Sequence, residues 1–251
     1  MSIYSNKGQV QRQLGQMSDG VGQDIAIVET ILRDRRQFFE EIREEVAVPD
    51  KIRSMLISSA AFLAVYGAVL GSTHSLLQAL SSAAKLPLLF LATMLVCLPT
   101  LYVFSILFGS NQRLSQTIAL VLSAITITSA LLLSFASITF FFMLTTSNYQ
   151  FFKLLNVFFF IMAGIVGMSF LNQGRRIVAV GDEAKGSLKR GLVLFLWVFL
   201  FAFVGSQMAW TLRPFVGYPG AKFEPLREIG GNFYANVLTS IGELLGLYVV
   251  M

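Results

Sequence analysis

The stretch LSQTIALVLSAITITSALLLSFASITFFFMLTT, residues 114–146, decides the fold. It contains no charged residue and no histidine. Its length exceeds the roughly 20 residues needed to cross a hydrocarbon core of about 30 Å, yet is too short for two crossings and a turn. The expectation is one long, tilted helix. In lipid the backbone has to satisfy its own N–H and C=O groups, and a helix does so within one segment.

Outward from this stretch, similar apolar segments alternate with short polar ones. They predict spans at about 55–71, 86–108, 151–171 and 191–212, and no Asp or Glu occurs from Ser54 to Gly181. The chain of 251 residues is 55% hydrophobic and 13% charged, with a mean hydropathy of +0.69. A soluble domain carries about 25% charged residues, so lipid has to solvate most of this surface. The fold class is therefore all-α: a multi-pass integral membrane helical bundle of about five spans. An N-terminal amphipathic helix precedes it, and an interfacial C-terminal helix, or a sixth span, follows it. Three regions result: 1–53, 54–212 and 213–251.

The net charge of +5 does not point to nucleic acid, because the basic residues flank the spans, where they set orientation and meet lipid head groups. Five spans place 14 Lys and Arg on the side of the N-terminus and 5 on the other. The first group includes the basic loop residues Arg175, Arg176, Lys185, Lys189 and Arg190. This predicts a cytoplasmic N-terminus. No apolar run precedes Met55, so the first span is expected to direct insertion, without a cleavable signal.

Residues 1–18, rich in Gln, Ser and Gly, suggest a flexible tail. From Val21 to Val46, apolar residues recur at helical spacing with charges on the other faces, predicting an amphipathic helix that Pro49 ends. In the first span Ala60, Ala64 and Ala68 repeat every four residues beside Gly67-x-x-x-Gly71, a pattern that lets helix backbones approach closely. Gly164 and Gly167 offer the same in the fourth span. Residues 72–85, with His74, suggest a polar connection. Pro87 is expected in the first turn of the second span, and Pro99 to bend it.

Residues 210–234 alternate aromatics, arginines, prolines and glycines, which prevents a continuous helix. They suit a membrane–water boundary. Trp210, Arg213, Phe215, Tyr218, Arg227, Phe233 and Tyr234 are the candidate residues for binding a partner or lipid, with Trp210 and Arg213 spaced to stack as ring and cation. A structural cap that seats the last helix is the plainer alternative.

Catalysis has little to build on. Cys97 and His74 are the only residues of their kinds, so a metal cluster of the His/Cys type is not expected. No phosphate-binding glycine loop or nucleophile elbow occurs. No ionisable group is expected inside a span, which counts against a carboxylate relay. No cofactor is expected, nor an enzymatic activity.

The runs Arg53–Ser59 (RSMLISS), Ala79–Leu91 (ALSSAAKLPLLFL), Tyr149–Val157 (YQFFKLLNV) and Leu212–Gly217 (LRPFVG) resemble a family of cyanobacterial multi-pass membrane proteins over roughly residues 30–240. The resemblance implies a plasma or thylakoid membrane and no particular reaction. Some members carry an actin-binding WH2 label, implying a short helix followed by a Leu-Lys-Lys-Thr/Val-like element. The nearest approach here is Leu188-Lys189-Arg190-Gly191, which runs directly into the fifth span. The function expected is a membrane scaffold or accessory subunit of a larger membrane complex, with the bilayer as solvent and room for a homo-oligomer. A permease with a Ser/Thr-lined path along the third span is the alternative.

Overall fold

The computed structural model describes residues 26–107, 112–146, 148–178, 187–217, 223–226 and 230–246, and of 187–190, 192 and 193 the backbone alone. Every regular element among them is helical: α1 (residues 26–33), α2 (Arg35–Arg43), α3 (Val48–Ser72), α4 (Leu76–Leu107), α5 (Leu114–Thr145), α6 (Tyr149–Val178), α7 (Ser187–Thr211) and α8 (Phe233–Leu244). Five of these, α3 to α7, are long and apolar enough to cross a membrane, α7 through Leu194–Thr211. The 114–146 stretch is indeed one helix.

The helices outrun the apolar segments. Backbone bonding continues through polar residues wherever a neighbouring element buries them, so composition alone places the ends too early. The expected connection 72–85 shrinks to residues 73–75, and Pro87 lies well inside α4 rather than in its first turn. Likewise Arg175 and Arg176 belong to the last turn of α6, not to a loop. Pro49 sits at the start of α3, where its missing N–H costs nothing. The amphipathic helix is broken: Asp34, at φ −120° and ψ 46°, separates α1 from α2. A turn through Glu45 and Ala47, both in left-handed backbone (φ 61° and 50°), then leads into α3.

The helix at the centre is α5. Its residues 119–129 are buried without a gap, and it packs on α3, α4, α6 and α2. On one side α4 carries α7, while α8 bridges α6 and α7. Two cores result. At the end bearing α1 and α2 (the arm end), Ile31, Phe38, Phe39 and Ile42 belong to one buried cluster with Leu120, Leu171 and Trp197. Toward the opposite end (the cap end), Leu63, Tyr66, Leu86, Leu132 and Phe159 form the second. The exterior of the spans is apolar, with Leu80, Leu95, Phe195 and Phe199 each more than half exposed, as lipid-facing helices require.

The arm is locked to the bundle, not left free. Gln116 at the start of α5 accepts the Arg113 backbone N–H (3.0 Å) and donates to the carbonyls of Arg43 (3.1 Å) and Ile42 (3.4 Å). Phe39 lies on Gly174 of α6, where an added Cβ would fall 2.5 Å from its ring. Lys51 pairs with Glu41 at 3.0 Å, and this ammonium holds the Glu41 carboxyl below the usual carboxylate range.

In the second core, the Tyr66 hydroxyl donates to Asn156 Oδ1 (2.7 Å), Thr139 lies 3.4 Å from the same oxygen, and Asn156 Nδ2 donates to the Phe152 carbonyl (2.7 Å). The three side chains tie α3, α5 and α6 together. Interhelical bonds in membranes contribute roughly 0.6–1.7 kcal/mol each. Asn156→Leu, which removes the acceptor shared by the buried Tyr66 and Thr139 hydroxyls, is expected to lower the apparent melting temperature in detergent. Tyr66→Phe in the same background should recover most of the loss, and a purely additive double variant would refute the coupling.

Candidate functional site

The most elaborated polar construction in the molecule sits at the cap end. Gln78, Ser82 and Lys85 occupy one face of α4, because positions four and then three apart stack along a helix. All three are buried, to 1%, 0% and 8% exposure. Their donors converge on the segment that follows α7. Gln78 Nε2 donates to the Pro214 carbonyl (2.8 Å) and to Ser82 Oγ (3.2 Å). Ser82 Oγ donates onward to the Phe215 carbonyl (2.6 Å). Lys85 Nζ donates to the carbonyls of Pro214 (3.2 Å) and Pro225. A proline carries an acceptor but no N–H, so Pro214 and Pro225 face the α4 donors with no donor of their own.

Here the expectation of spans free of ionisable groups fails. Lys85 lies nine residues into α4, about 13 Å from its start, and among the described residues no carboxylate stands within ion-pair distance of it. Lys153 likewise lies within α6 and donates to Asn236 of α8 (3.0 Å). Carbonyl dipoles, not counter-charges, solvate the Lys85 ammonium.

Arg213 stacks on Trp210, with its guanidinium carbon 3.5 Å from the ring centroid, and donates to the Gly230 carbonyl (3.0 Å). The peptide between Arg213 and Pro214 is cis. Phe215 is half-buried and packs against the second core. Gly217 lies against the His74 ring, where a Cβ would fall 2.3 Å from a ring carbon; His74 therefore seats the cap. The Asn232 side chain caps α8 by accepting the Ala235 N–H (2.7 Å). Tyr234 stacks on Phe203 of α7 (6.4 Å between centroids), and its hydroxyl shares a hydrogen bond with Ser206 (3.0 Å). Glu243 accepts from Gln150 of α6. Phe233 is half-buried beside Tyr234. Tyr218 and Arg227 lie outside the described residues. At 12 residues, α8 is too short to cross a bilayer.

Of the basic loop residues, Lys185 lies outside the described residues. Lys189 and Arg190 are helical, in the first turn of α7.

The small residues divide. Gly67 and Gly71 meet the backbone of Ser82 and Gln78, the very residues whose side chains hold the cap. Gly167 meets Thr128 and Ala124 of α5. Ala60, Ala64 and Ala68 are half-buried along α3. Gly164 faces open space, with nothing within 4 Å of an added Cβ; its assignment to helix packing is corrected, because it lies on the outward face of α6.

Gln78, Ser82 and Lys85 escaped the sequence reading, although their spacing was a usable signal: three polar residues on one face of an otherwise apolar helix. Beginning the span at Leu86 hid that face. Among the described residues, no three His, Cys, Asp or Glu side chains are grouped to hold a metal.

These features define a class, the multi-pass α-helical membrane bundle. No family model, curated protein or solved structure matches the chain.

Proposed function

We propose that this chain is a non-enzymatic scaffold or accessory subunit of a larger membrane complex, seated in a plasma or thylakoid membrane. The observation that carries this is the self-directed bonding of the interior. Ser123, Thr126, Thr128 and Ser129 of α5 each donate to a carbonyl of their own helix, three or four residues back. These hydroxyl donors are thus taken up within α5 instead of being offered to a ligand. The arm and cap are locked at opposite ends in the same manner. What remains for recognition is the outside: the apolar flanks of α4 and α7, the charged face of α2 and the exposed edge of Tyr234 in the cap.

A Ser/Thr-lined permease path gains no comparable support. Ser129 is fully buried, whereas Ser134 is exposed on the outer face of α5, so the two do not line a common passage. A cytoplasmic N-terminus is supported by the placement of Arg33, Arg35, Arg36, Arg43, Lys51, Arg53, Arg113, Arg175 and Arg176 at the arm end. Only Lys85, Lys153 and Arg213 among the described basic residues belong to the cap end. Kinship with the cyanobacterial family belongs to the same proposal.

Affinity purification in a mild detergent, with mass spectrometry of everything retained, tests the scaffold role. A reproducible, near-stoichiometric assembly is the expected result. A protein recovered alone, with flux of small solutes in liposomes, would overturn it in favour of a permease.

A further inference from the structure

The cap holds the Lys85 ammonium as a binding site holds a ligand. Nζ lies 3.2 Å from the Pro214 carbonyl oxygen and donates also to that of Pro225. Pro214 is buried and Pro225 exposed, so the ammonium joins two parts of the cap where the chain passes from core to surface. Among the described residues no carboxylate pairs with it, and that includes Glu224, the neighbour of Pro225 in the chain. The charge is met by carbonyl dipoles.

Half of this site is formed without the ammonium. A carbonyl oxygen has two lone pairs, and that of Pro214 already accepts from Gln78 Nε2 at 2.8 Å. The next carbonyl, of Phe215, accepts from Ser82 Oγ at 2.6 Å. Both residues that face Nζ are prolines, whose rings fix φ. The Pro214 oxygen is therefore held in position by α4, and Pro225 closes on the ammonium from the other side.

The same geometry selects the ligand. An alkali cation gives up its hydration shell to a full ring of oxygens, which the two carbonyls do not make. A primary ammonium carries three directional N–H donors, and two of them find these carbonyls.

We propose that the cap contains a binding site for a primary ammonium group, that Lys85 is its resident ligand, and that occupancy of the site, not the covalent link to α4, keeps the Pro225 segment closed. The link serves to raise the effective concentration of the ligand. A free amine of matching shape then takes the place of the side chain. Lys85→Ala keeps Cβ and removes the methylenes beyond it together with the ammonium, and n-propylammonium restores those atoms.

The test is limited chymotrypsin digestion of the full chain in detergent, scored at cleavage between Gly217 and Gly231. Lys85→Ala should be cut about tenfold faster than the parent, as the loss of hydrogen bonds from a charged donor implies. Added n-propylammonium should return it to near the parent rate, with saturation, while the parent's own rate stays unchanged. Potassium and tetramethylammonium at the same concentration supply charge without N–H donors, and should not. Lys85→Met, whose stem fills the space, should be opened and not rescued. If Lys85→Ala unfolds on extraction, recovery of monodisperse protein solubilised with each salt replaces the digestion, and the same selectivity is expected. Unchanged cleavage in Lys85→Ala, no rescue by n-propylammonium, or equal rescue by potassium or tetramethylammonium would each overturn the proposal.

Discussion

Gly67→Leu is expected to abolish the monodisperse folded species in detergent, whereas Gly164→Leu, in an equally apolar span, should leave it intact. The contrast is geometric. A Cβ at Gly67 would stand 2.4 Å from the Ser82 carbonyl oxygen and 2.8 Å from its carbon, and one at Gly71 2.3 Å from the Gln78 carbonyl oxygen. These are backbone atoms of a facing helix, so no side chain can swing aside. Overpacking a tight core costs about 1–3 kcal/mol even where side chains adjust, and here α4 has to move as a body. That motion drags Gln78 and Ser82 with it, and so loosens their hold on Pro214 and Phe215. At Gly164 nothing lies within 4 Å, and a leucine there meets only lipid. Fluorescence-detected size exclusion of the two variants, run across a temperature series, checks the pair. Equal behaviour would show that α3 and α4 do not depend on this approach.

Lys85→Met should release the cap while the bundle stays folded. The substitution keeps the apolar stem and removes the ammonium, leaving Pro225 without its donor and Pro214 with Gln78 alone. Pro225 is exposed, so its freed carbonyl can turn to water, and the loss is that of hydrogen bonds from a charged donor, about 1.5–3 kcal/mol each; every 1.4 kcal/mol is about tenfold in the population of an opened state. Limited proteolysis between Gly217 and Gly231 should accordingly accelerate about tenfold or more, with Lys85→Gln intermediate. The opposite outcome has a physical basis too, since replacing a buried charge by an apolar group can stabilise a protein. A Met variant more resistant than the parent would mean that desolvation of Lys85 outweighs its two hydrogen bonds, and that the clasp rests on Gln78 and Ser82.

The candidate surface was read unevenly from the sequence. Trp210 and Arg213 were legible as a stacked pair because a spacing of three brings neighbouring side chains together at the end of a helix. The direction of Phe215 was not legible: its aromatic character says nothing about which way it faces, and the structure packs part of its ring against the second core. Gly67 and Gly164 carry the same residue type in the same kind of helix. Only the presence of α4 beside one, and of nothing beside the other, separates them.

What the sequence by itself determined is the solvent and the secondary structure. Uncharged apolar runs of crossing length leave the backbone no choice but the helix, and they fixed five spanning helices and the helical hairpin order. The tertiary structure alone decided where the helices end, because polar residues stay helical when a neighbour buries them, as Gln78 and Arg175 do. It alone decided that Lys85 is tolerable within a span. The reason is that the carbonyls solvating its charge come from residues 129 and 140 positions away, a separation that no local pattern encodes.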